Sequence, residues 1–206
     1  MERFDGHIMG SAFASGHRIV VGRWFSSPFG GFTDVMWRDP DGKRTLMASD
    51  DAASSFIARH YSFEEVRVTP VEISRTQDHI RVRAERIALD LTLAAPGPAS
   101  AILRLQPRGL RTNPGWIRLQ DAVGRPVLGP LLFGGGSTHL VGRTRAGTRE
   151  WYAIHDLRRG RAHGALDDRD LGPVGPCPPA GFGFSEFPDG AALARVTSLF
   201  EGPVGG

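Results

Sequence analysis

Apolar and polar residues alternate along much of the chain with a period of two, the repeat of a strand that buries one face. The clearest stretch is "RIALDLTLA", where Ile87, Leu89, Leu91 and Leu93 point one way and Asp90 and Thr92 the other. The same pattern predicts strands over residues 17–25, 31–38 and 149–157, and within "KRTLMA", "EEVRVTPVEI" and "ALARVTSLF". Pro70 marks a bulge or an edge, because it has no N–H to give a ladder. In "DPDGKR" the pair Asp41-Gly42 predicts a hairpin turn built on positive φ angles.

Two segments follow a helical period instead. Ser49 caps the first, over residues 49–61, with Asp50 and Asp51 near the positive end of the dipole. Its apolar face holds Ala53, Phe56, Ile57 and His60. The second runs over residues 114–123: Asn113 is the cap, Pro114 opens the first turn and Trp116, Leu119, Gln120 and Val123 form the stripe. Gly124 ends it. The predicted fold is a single, mainly β domain spanning 1–206. It is a strongly curved antiparallel sheet or β-barrel, with two short helices at an end or rim.

Composition agrees and narrows the function. With 40% hydrophobic and 23% charged residues over 206 positions, the chain can bury a real core. Twenty-seven Gly and fifteen Pro favour many turns and short strands. The net charge is only +3, and the arginines that supply every basic residue but Lys43 are dispersed among acids. A nucleic-acid partner is therefore not expected. Cys177 is alone, which removes a disulfide framework and a thiolate metal site. No signal peptide and no membrane-length apolar run is read, so the expected location is the cytoplasm, with no membrane partner.

Candidate chemistry concentrates in "TREWYAIHDLR". On a strand, Trp151 and His155 share one face while Tyr152 and Asp156 share the other, so His155 and Asp156 cannot form a base–orienter pair. If a pocket exists, Trp151 and His155 line it, and His155 is the candidate acid–base group because imidazole titrates near neutrality. Trp24, Trp37 and His60 are further ligand-binding candidates, since they sit on elements facing the expected core. The glycines Gly134–Gly136 in "FGGGSTH" lack the Lys-Ser/Thr of a phosphate cradle and read as a loop or a lid. The carboxylates of "DDRD" lack the other positions of a calcium loop, and the seven His are scattered. No metal and no cofactor is expected.

"GRW" at Gly22-Arg23-Trp24, on an early strand, with Arg195 on the last, resembles lipocalin-like (calycin) barrels. That resemblance implies that Arg195 covers the Trp24 indole. Over most of its length, especially "GHRIVVGRWFSSPFGGFTDVMWRDPDGKRTLMA" and "REWYAIHDL", the chain also resembles uncharacterised proteins of high-GC actinobacteria.

The expected function is binding of a hydrophobic or aromatic small molecule, as a carrier or as a cofactor-free cyclase or isomerase of secondary metabolism. A dry, shaped cavity with one or two placed polar groups needs no linear motif. The alternative is a non-catalytic protein-interaction or structural domain. An enclosed cavity favours the first and a filled barrel with an exposed apolar patch the second. The pattern leaves the oligomeric state open.

Overall fold

The computed structural model describes residues 1–107, 109–127 and 138–201. Its strands are β1 (Glu2–Ala12), β2 (Arg18–Ser26), β3 (Phe32–Arg38), β4 (Arg44–Ala48), β5 (Glu65–Val68), β6 (Glu72–Arg75), β7 (His79–Ala84) and β8 (Ile87–Leu93). They continue with β9 (Val141–Arg143), β10 (Arg149–Leu166), β11 (Arg169–Asp170) and β12 (Ala192–Phe200). Three helices accompany them: α1 (Asp51–His60), α2 (Pro98–Arg104) and α3 (Pro114–Val127). The protein is mainly β, as the alternation predicts.

One sheet runs through the molecule in the order β5-β4-β3-β2-β1-β12-β10-β8-β7-β6, with β9 and β11 paired to β10. Every pairing on that path is antiparallel except β4 with β5. The two edge strands, β5 and β6, are joined by residues 69–71 alone, with Pro70 in the joint. The sheet therefore curls back towards itself, and Arg67 of β5 pairs with Glu85 in the β7–β8 turn across the gap.

The inner face of the curl is packed solid. Met9, Val21, Val35 and Met47 from one half meet Ile80, Val82, Leu89 and Leu91 from the other in one cluster. Ile87 and Leu93 complete the apolar face of β8, while Asp90 turns outward to Arg81 and Arg83. Buried apolar side chains of this size contribute roughly 1.5–3 kcal/mol each, so this layer carries much of the fold's stability. The space inside the curl is thus core.

Local chemistry sets the element ends. The cap of α1 is Asp50, whose Oδ1 accepts from the Ala53 amide at 2.8 Å. Ser49, one residue earlier, instead accepts from the Thr33 amide on β3 through its Oγ. Of Asp41-Gly42 only Gly42 takes a positive φ, 91°. The helix α2 has no predicted counterpart, and β1, a central strand, is also unpredicted.

The strand β10 does two jobs. Its first half pairs with β12 and its second with β8, and the register against β12 slips between Ile154 and Asp156. His155 is the extra residue. Such a bulge bends a strand and reverses the parity beyond it. Glu150, Tyr152 and Ile154 face one side before it; Leu157 faces that same side after it.

Candidate functional site

A cavity of about 130 Å³ lies on the outer face of the sheet. One water needs roughly 10–15 Å³ by this measure, so the space is far larger than a packing defect. Its floor is the outward residues of β1, β2, β3, β10 and β12, including Ile8, Trp24, Met36 and Val196. Its walls are α1, through Phe56 and Ile57, and the segment 180–188, through Phe182 and Phe187. Glu186 holds that segment in shape by accepting from the Ala180 and Gly181 amides at 2.9 and 2.8 Å.

Two clusters of polar groups interrupt this apolar lining. Glu150 is 0% exposed, yet its Oε1 accepts from Ser198 at 2.6 Å, and Tyr61 lies 2.7 and 2.8 Å from its two oxygens. The Tyr61 hydroxyl also meets that of Tyr152 at 2.9 Å. Burial pushes the Glu150 carboxyl up to about 7, although the hydroxyls of Ser198, Tyr61 and Tyr152 pull the other way. Both phenols are raised well above their usual range, by burial first and by the Glu150 charge next.

The second carboxyl is Asp34, 1% exposed, on β3. Its Oδ1 accepts from Trp24 Nε1 at 3.0 Å, and its Oδ2 has no hydrogen-bond partner among the described residues. Burial raises it to about 7, against the pull of the Trp24 indole and the Gly22 amide. Gly22 is required for this geometry. A Cβ there would overlap Asp34 Oδ1 and sit 2.7 Å from Trp24 Nε1. Two carboxyls that are half-neutral near pH 7, in an apolar enclosure, can each give or take a proton at physiological pH.

Of the residues singled out from sequence, Trp24 lines this cavity and the others stand elsewhere. Trp151 and His155 fall on the opposite side of the first half of β10, where Glu150 and Tyr152 take the cavity side. Trp151 packs with Ala153, Leu199 and Ile117 of α3, with the guanidiniums of Arg118 and Arg149 each 5.9 Å from its ring. Trp37 stacks on His17 and donates from Nε1 to its Nδ1 at 3.1 Å. His60 lies one layer behind the wall, between Phe56 and Phe200, with Nδ1 2.9 Å from the Phe56 carbonyl.

His155 contacts Thr197, whose Oγ1 donates to Asp5 Oδ1 at 2.6 Å. His155 Nε2–H then donates to Thr197 Oγ1 at 2.8 Å, which fixes the tautomer and leaves Nδ1 as an acceptor. Burial lowers its pKa, and Arg195 and Arg111 lower it further. Asp156 is held by Ser100 and Arg104 of α2.

The expected cover of Trp24 by Arg195 is not formed. Trp24 faces the cavity, whereas Arg195 lies opposite His7 on the inner face. The Gly134–Gly136 loop lies outside the described residues. Among the described residues no three His, Cys, Asp or Glu converge on a point that could hold a metal ion, and no helix is long and apolar enough to cross a membrane. Comparison with family models, with curated proteins and with solved structures found no match.

Proposed function

We propose that the protein binds a hydrophobic small molecule in the outer-face cavity and moves protons on it, as a cofactor-free isomerase or cyclase. The observation that supports this is the pair of fully buried carboxyls, Glu150 and Asp34, each raised to about 7 beside an apolar space. Burying an ionisable group costs several kcal/mol unless it is satisfied, so buried carboxyls beside an apolar cavity point to use rather than packing. An isomerisation or ring closure needs one proton delivered and one removed. Neutral Glu150 can deliver, with Tyr61 and Tyr152 stabilising the carboxylate left behind, and ionised Asp34 can receive.

Binding is tested with Nile red, a neutral apolar dye. The wild-type protein is expected to give saturable fluorescence enhancement. Val196→Trp, or the milder Ala194→Leu, should reduce it by filling the floor. Absent saturation, or undiminished wild-type binding by both filled variants, overturns the reading. Native mass spectrometry of protein from its own host then supplies the substrate, on which Glu150→Gln should keep binding and lose conversion.

A further inference from the structure

The inner face of the same sheet carries charge at one end of the barrel that the cavity does not use. His7 sits on β1, with Arg23 directly opposite on β2 and Arg195 directly opposite on β12. Cross-strand neighbours on one face lie about 5 Å apart, so the three side chains stand abreast. The next inward residues along these strands, Met9, Val21 and Leu193, belong to the barrel core, which places the row at its mouth. Arg75 of β6 reaches the same point from across the curl, with Nη1 3.2 Å from His7 Nδ1. A guanidinium can only donate, so Nδ1 accepts, the ring is neutral and Nε2–H remains a donor. Burial first, then the charges of Arg75, Arg195 and Arg23, hold His7 down to about 4, against the opposing pull of Asp156.

Elsewhere the molecule matches arginines to acids: Arg81 and Arg83 to Asp90, Arg86 to Asp167, Arg158 to Asp78. Among the described residues no carboxylate pairs with Arg23, Arg75 or Arg195. Arg23 and Arg195 flank the neutral His7 ring, and Asp156, the cross-strand neighbour of Arg195 on β10, gives its oxygens to Ser100 and Arg104 of α2, so the three guanidiniums gather with little local charge balance. Phe25 stands at its edge, 52% exposed, with its ring 5.0 Å from His7 and 5.5 Å from the Arg23 guanidinium.

We propose that the barrel mouth binds a phosphate-bearing small molecule. The guanidiniums of Arg23, Arg75 and Arg195 and the Nε2–H of His7 hold the phosphoryl oxygens, and the Phe25 ring supports the organic part. A planar guanidinium matches the paired oxygens of phosphate, and three of them suit a group with more than one negative charge better than a single carboxylate. The site is separate from the cavity, because neighbouring residues on β1 point to opposite faces: Ile8 into the cavity, His7 into the mouth.

Isothermal titration of the intact protein with inorganic pyrophosphate at low salt tests this, with acetate as the control anion. Saturable binding of pyrophosphate and not of acetate is expected. Arg23→Gln, Arg75→Gln and Arg195→Gln should each weaken it about tenfold or more, the loss of a charge-assisted contact. The free variants should stay folded and melt close to the wild-type temperature, so that lost binding reports the anion contact and not the fold. The His7 ring resonances should move on binding, with the midpoint of titration rising. No saturation, wild-type affinity in all three variants, or capture on phosphatidic acid vesicles without pyrophosphate binding would overturn the assignment. None of these outcomes depends on Nile red in the cavity.

Discussion

A single methyl group added at position 22 would fall on Asp34 Oδ1 and close to Trp24 Nε1. Gly22→Ala should therefore cost about 1–3 kcal/mol, the usual penalty of overpacking. It should also move Trp24 emission, read against Trp24→Phe; urea unfolding and fluorescence check both. The two buried carboxyls make a prediction in pH. Their pKa values are raised on folding, so the stability they contribute is complete below about pH 4 and is lost as pH rises through about 7. Across that window wild-type stability should fall by a few kcal/mol, whereas Asp34→Asn combined with Glu150→Gln should flatten the slope in chemical denaturation. Asp34 was partly legible in the sequence. It shares the parity of Phe32 and Met36, and a carboxylate on an apolar stripe is either paired or functional. Glu150 has the same signature with Tyr152 and Ile154. What no pattern carried was that both side chains, and Tyr61 from the end of a helix, meet in one space.

The elements explain why the expected strip failed to line the cavity. The strand over 149–157 and the shared face of Trp151 and His155 are read correctly from alternation, but the bulge at His155 moves Asp156 off the face of Tyr152 to that of Arg195, and alternation does not tell which face meets a cavity. Trp151 thus joins α3 and Tyr152 joins Glu150. His155→Gln should leave Nile red binding unchanged, while Tyr152→Phe should shift the Glu150 titration; a dye titration and the pH profile of unfolding measure these. β1 escaped the reading because Gly6 and Gly10 dilute its apolar stripe. Both are needed where the backbone of β2 approaches, since a Cβ would overlap Arg23 O and Ile19 O. The helix α1 is held by a single side-chain cap, so Asp50→Ala should cost about 1 kcal/mol and loosen the cavity wall, seen as weaker dye binding.

At the scale of the whole molecule, core and cavity occupy opposite faces of one sheet, and they should be separable by mutation. Leu89→Ala, inside the curl, should cost roughly 2–5 kcal/mol with little change in dye affinity, whereas Val196→Trp should reduce binding with a smaller thermal shift. The curled sheet was legible as a class because period-two stripes are a local property. Its filled interior was not, since that depends on which distant strands meet. The extra residue in β10 links these scales. Even-numbered residues from Glu150 to Ile154 address the cavity, yet Ala162 and Leu166 face the core. His155 acts as a frameshift in the chain's own reading of inside and outside. Deleting it joins Ile154 to Asp156 in the register each already holds, so every other side chain keeps its side. Removing Ala153 instead would close the bulge but swap two side chains, turning Ile154 to the inner face and His155 into the cavity. Of single-residue losses within this strand, the bulge is the one that evolution can make silently.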